Sequence, residues 1–285
     1  MKNINLNYFW STRANGNMNK NKAFYPGMTP DEITRDFDER RIQLCREHGI
    51  DELKIIIPTQ KIRPVLTGKT DEEKELLLQK YNSKYSDGHY VRITHEMIEP
   101  YEDLYKLDVP ADILMIDSSI KNVALAYPVA DCPVVFAHNT KDNIVAMAHC
   151  GGEYIDRDLP GQIIDAMREE TDCKPYDISV YIGPHAQESS FTYDCFPKFI
   201  ENERRWEGCL REANGLIHIN MSKAIMMQLM ERGVHLETVH VSALDTITNP
   251  DFYSNNRARL DESKAGRFYT GCFYNSKIKE LTKTR

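Results

Sequence analysis

The stretch ADCPVVFAHNTKDNIVAMAHCGG, residues 130–152, decides how the rest of the chain is read. Two short apolar runs rich in β-branched residues, 133–137 (PVVFA) and 143–148 (NIVAMA), flank the turn composition of 138–142 (HNTKD), a pattern that predicts a β-hairpin. Folding the hairpin about Thr140 and Lys141 sets Cys132 opposite His149. Directly opposed residues of an antiparallel pair have Cα atoms about 4.5–5.5 Å apart, so the thiol and imidazole could share a metal ion or a proton. Cysteine and isolated histidine are often core residues. The mirrored placement, and Gly151-Gly152 where bare backbone lets a ligand approach closely, instead mark Cys132 and His149 as catalytic candidates and Gly151 as a substrate contact.

The chain has 285 residues, 41% of them hydrophobic, enough for a sizeable core. A net charge of −7 and a pI near 5.8 argue against a nucleic-acid or anionic-membrane surface and favour a small-molecule substrate. No apolar run approaches the ~20 residues that span a bilayer, and MKNINLNYFW at the N-terminus lacks the regions of a secretory signal, so a cytoplasmic location is expected. Cysteines 45, 132, 150, 173, 195, 209 and 272 are odd in number and form no CxxC, which suits reduced thiols and excludes a classical zinc finger.

Along the chain, Thr29-Pro30-Asp31-Glu32 is a capping box with proline at the first helical position, predicting a helix over 30–48 that stops at Gly49. Strands are expected at 53–58, 89–94, 112–117, 122–129, 177–182, 238–243 and 268–274, and helices at 160–170 and 220–232. Residues 67–88 are highly charged around a short apolar centre and read as a helical surface insertion. Without regular βαβ alternation, the pattern predicts an α+β fold, a single domain over 1–285 with mixed sheets flanked by helices. The oligomeric state is left open.

The motifs resemble those of the laccase-domain proteins, also called multicopper polyphenol oxidoreductases and, more recently, purine nucleoside phosphorylases. Ala130-Asp131-Cys132-Pro133 followed by His149 and Gly151 resembles the family's ADCLP…HAGWRG core. In the same order along the chain, residues 11–16 (STRANG) resemble TTRxGG, 110–114 (PADIL) resemble ADALVT, and 182–184 (IGP) resemble IGPCIG. Residues 218–220 (HIN) resemble HLDLWAAN, and 252–254 (FYS) with Gly266-Arg267 resemble FFSYRR…TGR. Collinear order makes the resemblance specific where each piece alone is weak.

The resemblance implies one zinc ion held by two histidines and a cysteine, here Cys132, His149 and an upstream residue at the family's QVHG position. Counting from Thr12-Arg13 puts Ile62 there; counting back from Cys132 and allowing for the charged insertion gives His95. Isoleucine cannot ligate zinc, so His95, Cys132 and His149 form the expected metal set, with His185 in reserve. The Trp and Arg of HAGWRG become Gly152 and Glu153. An aromatic wall and a cation are then missing, and phosphate is expected to be used poorly. Arg157, Arg257, Arg259 and Arg267 could restore the charge, and Arg13, Gly151, Arg257 and Arg267 are the candidate substrate contacts.

The implied activity is a zinc-dependent enzyme acting on purine nucleosides, by phosphorolysis or deamination of adenosine or inosine. Two other readings stay open: a metal-free Cys/His hydrolase or amidase with Cys132 as nucleophile and His149 as base, and a degenerate binding protein of the same fold.

Overall fold

The two strands of the hairpin carry apolar side chains at four and five successive positions, so both of their faces must be covered. The computed structural model, which describes residues 5–21, 24–58, 70, 90–107, 109–261 and 265–275, shows how. In chain order its elements are β1 (Asn5–Trp10), α1 (Pro30–His48), β2 (Ile55–Ile56), β3 (Tyr90–Arg92), α2 (His95–Ile98), β4 (Ile113–Asp117), β5 (Ala124–Val129), β6 (Val134–Asn139) and β7 (Ile144–His149). They continue with α3 (Gly152–Asp156), α4 (Leu159–Glu170), β8 (Ile178–Ile182), β9 (Thr192–Tyr193), β10 (Leu210–Ala213), β11 (Leu216–Ile219), α5 (Met221–Glu231), β12 (Val239–Val241), α6 (Asn255–Ala258) and β13 (Phe268–Asn275).

A six-stranded mixed sheet in the order β12-β8-β6-β7-β4-β3 has the hairpin at its centre, and a four-stranded sheet, β1-β13-β5-β2, stacks on one of its faces. Val134, Phe136, Val145 and Met147 share a core with Leu125, Tyr127, Phe268 and Cys272 of the second sheet. Their neighbours Val135, Ala137, Ala146 and Ala148 face the other way, against Ile163 and Met167 of α4 and Ile225 and Leu229 of α5. On the far side of the four-stranded sheet, Phe9, Ala124, Ala126 and Tyr269 cover Phe37 and Leu44 of α1. The result is a helix–sheet–sheet–helix stack, an α+β architecture. The small β10-β11-β9 sheet is separate from both larger sheets and packs on the helix-side core through Ile219.

Local chemistry sets the element ends. Thr29 Oγ1 accepts from Glu32 N at 3.3 Å, Glu32 Oε2 accepts from Thr29 N at 2.8 Å, and Gly49 closes α1 in the left-handed region at φ 71°. The hairpin turns through Asn139, whose Oδ1 accepts from the amides of Lys141 and Asp142 at 3.0 and 3.2 Å. This turn sets the register: His149 pairs with Val134, not with Cys132. The expected symmetric pairing is thus off by two residues, because Asn139 still pairs with Ile144 and leaves a four-residue loop. A two-residue offset keeps each side chain on its face. The expected strand over 53–58 shortens to Ile55–Ile56, and β1 was not anticipated. The charged insertion at 67–88 falls outside the described residues apart from Thr70.

Phe136, fully buried between the two sheets, tests this layering. Phe136→Ala should destabilise the protein by about 3–5 kcal/mol in urea denaturation, whereas Tyr176→Ala, at a side chain 61% exposed, should stay within about 0.5 kcal/mol of the parent.

Candidate functional site

Cys132 precedes β6 and His149 ends β7, on the face that looks toward the four-stranded sheet. A methyl group placed on Gly151 would sit 3.1 Å from Cys132 Sγ and 3.5 Å from His149 Nε2. The two donor atoms therefore converge on one point, and Gly151 keeps that point open. The His149 ring stands 6.1 Å from Tyr127 and 6.0 Å from Tyr154, centroid to centroid.

Two buried carboxylates shape what surrounds this point. Asp131, 3% exposed and left-handed at φ 75°, accepts from Thr246 Oγ1 at 2.9 Å, Ser254 Oγ at 3.0 Å, and Asn256 N and Nδ2 at 2.7 and 3.2 Å. It thereby pins α6 beside Cys132. Asp156, at the end of α3, accepts from Glu201 N at 3.2 Å, Asn202 N at 3.0 Å and Trp206 Nε1 at 3.0 Å, which fixes the segment that follows Phe199. Sequence reasoning missed both roles; the available signal at Asp131 was an acidic residue where the chain turns sharply, since Asp tolerates the left-handed region, whereas Asp156 lies within a helix and carried no such signal.

Between these walls lies a cleft of about 440 Å³ that includes Cys132, His149, Gly151 and Glu153. Its aromatic lining corrects the expected loss of a wall. A side chain at Gly152 would start 2.5 Å from the Phe199 ring, so Phe199 fills the space that the family's Trp position leaves empty. Phe191, Tyr193 and Tyr154 extend the lining, with Tyr193 at 5.4 Å from Phe191 and 6.0 Å from Phe199.

Burial pushes the Cys132 thiol up to about 12, and the charges of Asp131 and Glu153 add to that while Arg267 opposes it. Burial likewise raises Tyr154 to about 12, helped by Asp112 and Glu153. Burial lowers Arg267, against the pull of Cys132 and Asp131.

Two expected ligands are not delivered to the site. His95 opens α2, is exposed, and lies with Nε2 3.4 Å from Ser119 Oγ. Ser119 follows the end of β4 that pairs with Ile144, whereas Ala148, beside His149, pairs with Ile113 at the opposite end. The intervening strand is about 13 Å long at the usual rise. His95 fails because β3 runs parallel to β4 and carries the chain away from the cleft. His185 is fully buried, with Nδ1 2.8 Å from Gly183 O and Nε2 2.6 Å from Ser222 Oγ. Both ring nitrogens are engaged in tying the end of β8 to α5. Among the described residues no group of three His, Cys, Asp or Glu side chains could hold a metal, and Ile62 lies outside them.

Of the candidate cations, Arg259 lines the cleft with its guanidinium 5.2 Å from the Tyr193 ring centroid. Arg13 lies 5.0 Å from the Tyr253 ring, Arg257 donates to Phe252 O, and Arg267 is near enough to Cys132 and Asp131 for their charges to act on it. Arg157 caps α3 and is exposed. No described helix is long and apolar enough to cross a membrane.

The family model described as multi-copper polyphenol oxidoreductase laccase matches residues 74–274. A curated relative, purine nucleoside phosphorylase YlmD of Bacillus subtilis, is 27% identical over 153 residues, a match spanning 52% of this chain and 53% of that protein. Among solved structures, the hypothetical protein YfiH of Bacillus licheniformis superposes with a TM-score of 0.69 at 17% identity, covering 94% of this chain and 92% of that one. YlmD of Geobacillus stearothermophilus gives 0.69 at 18%, covering 95% and 92%. These likenesses show the fold.

Asp131→Ala strands several buried donors and should destabilise the protein by about 3 kcal/mol or more in urea. The raised thiol has its own consequence. In metal-depleted protein at neutral pH, a disulfide reagent followed by peptide mapping should modify exposed Cys195 quickly and Cys132 slowly, with the Cys132 rate climbing as pH rises past 9. Fast labelling of Cys132 at pH 7 would show that its thiol is not held protonated.

Proposed function

The chain belongs to the multi-copper polyphenol oxidoreductase laccase family, and from that premise we propose that its cleft is the active site of a zinc-dependent enzyme acting on purine nucleosides, by phosphorolysis or deamination of adenosine or inosine. The observation that carries this reading is an aromatic cleft of about 440 Å³ lying against the convergent pair Cys132 and His149. Its volume is in the range of small-molecule sites, and stacking on aromatic side chains is worth about 1–3 kcal/mol per base. The relative named as a purine nucleoside phosphorylase supports the substrate class.

Thiolate and imidazole are donors suited to zinc, and the space a Gly151 side chain would fill is where their atoms meet. They are two of the three protein ligands usual in catalytic zinc sites. The raised thiol agrees with this assignment, since a buried sulfur becomes a thiolate readily only when a cation shares the site. A zinc ion held there would supply a Lewis acid and lower the pKa of its bound water to about 7. The chain's own residues would do the rest. Phe191, Tyr193 and Phe199 hold the base and exclude water, and Gly151 admits the substrate to the two donors.

Metal-free thiol chemistry is the weaker reading. With a pKa of about 12, on the order of one Cys132 thiol in 100,000 would be ionised at pH 7.

Zinc content and product analysis test the proposal together. The purified protein should carry zinc and convert inosine to hypoxanthine in the presence of phosphate, or adenosine to inosine without it. Removal of outer-shell partners of a metal site already lowers metal affinity or activity by about 10–100-fold, so Cys132→Ser and His149→Ala should each lower turnover by more than that and lose zinc. His95→Ala should retain both. Zinc loss in His95→Ala would overturn the placement of the site, and a zinc-free protein inert toward purine nucleosides would favour the degenerate binding protein.

A further inference from the structure

Among the described residues, three side chains charged at neutral pH line the cleft: Asp131, Glu153 and Arg259. Asp131 is saturated by Thr246, Ser254 and Asn256. Glu153 and Arg259 have no ion pair and no side-chain hydrogen bond to any described residue. Their polar atoms are therefore available to whatever the cleft binds.

The two uncommitted charges serve different parts of the cleft. Glu153 follows Gly151-Gly152 in α3, and its charge acts on both Cys132 and Tyr154, which places it at the end where the thiol and imidazole converge. Arg259 directly follows α6 and lies over the Tyr193 ring, 5.2 Å from its centroid. Tyr193 is T-shaped against Phe191 at 82° and against Phe199 at 71°. Neither ring lies flat on Tyr193, and the guanidinium takes a position above it. A base held by this aromatic wall thus lies within reach of Arg259, since a planar guanidinium both stacks on π-faces and carries donors at its edge.

The hydrogen-bonding chemistry of arginine is one-sided: it has five donors in a fixed fork and no acceptor. An oxopurine presents two adjacent acceptors, N7 and O6, which that fork can meet together, whereas adenine presents N7 beside the N6 amino donor. Against adenine one of the paired bonds is lost and two donors are brought face to face. We infer that Arg259 is a specificity-determining residue of the cleft, reading the N7/O6 edge and favouring oxopurine nucleosides, inosine and guanosine, over adenosine. This selectivity, which rests on the nucleoside reading of the cleft, narrows the substrate to one class of purine and favours phosphorolysis over adenosine deamination.

Calorimetric titration of the full chain with inosine, guanosine and adenosine tests this. Inosine and guanosine should bind on the order of tenfold more tightly than adenosine, and an inosine analogue with carbon in place of N7 should lose most of that advantage. Arg259 is exposed, so its variants should fold. Arg259→Met, which keeps an apolar stem over Tyr193 and removes the donors, should bring inosine and adenosine to equal affinity. Arg259→Gln should turn the preference toward adenosine, because a carboxamide pairs with N6 and N7 of adenine; a merely structural role would not reverse the order. Arg46→Met, at an exposed ion pair with Glu52, should leave the preference unchanged. Equal binding of inosine and adenosine by the parent protein, or an inosine preference that survives Arg259→Met, overturns the assignment and leaves the nucleoside reading standing. Inosine monophosphate weakened by Arg259→Met with inosine unaffected overturns it in favour of a phosphate contact. If none of the nucleosides binds, the nucleoside reading falls and the assignment falls with it.

Discussion

A carboxylate that is 3% exposed has to be surrounded by donors, and Asp131 obtains them from residues more than a hundred positions away in the chain. That requirement ties the entry to the central hairpin to α6 and the residues around it. Cys132 follows Asp131 directly, so the saturation of one side chain fixes the place of the next. Asp156 imposes the same constraint on the opposite wall, where its three donors hold the segment behind Phe199. The cleft exists because these two buried charges each recruit a distant loop to the same edge of one sheet.

The walls show how the cleft keeps its shape while its sequence departs from the family pattern. Gly152 stands where the pattern has Trp, and the ring of Phe199 occupies the volume in front of it. Aromatic surface is preserved by a residue from a different loop. The charge balance follows a similar course. Glu153 brings a carboxylate to the cleft, while Arg259, also in its lining, lies over Tyr193 and Arg267, just before β13, is near enough to Cys132 for their charges to interact. The chemistry available to a bound molecule is therefore set by the assembled loops more than by the motif itself.

Much of the fold was legible because it depends on local or periodic signals. The capping box at Thr29, the turn at Asn139 and the apolar runs of β6 and β7 are each decided by neighbouring residues. The Cys132–His149 juxtaposition survives a register different from the one expected, since strand side chains alternate with a period of two and the offset is two. His95 was misplaced for the opposite reason. Counting residues gives a distance along the chain but not the direction of β3, which runs parallel to β4 and ends far from His149. Phe199 and Asp131 were hidden because their roles arise from contacts across long sequence separations. Neither role leaves a periodic trace.

If the Cys132–His149 point and the aromatic cleft form one nucleoside-processing site, as proposed, a crystal structure of the protein with inosine, using diffraction data collected at the zinc absorption edge, measures both parts at once. An anomalous peak bonded to Cys132 Sγ and His149 Nε2 is expected, with the purine stacked against Phe199 or Tyr193. Zinc bound elsewhere, or inosine seated away from this cleft, would contradict it.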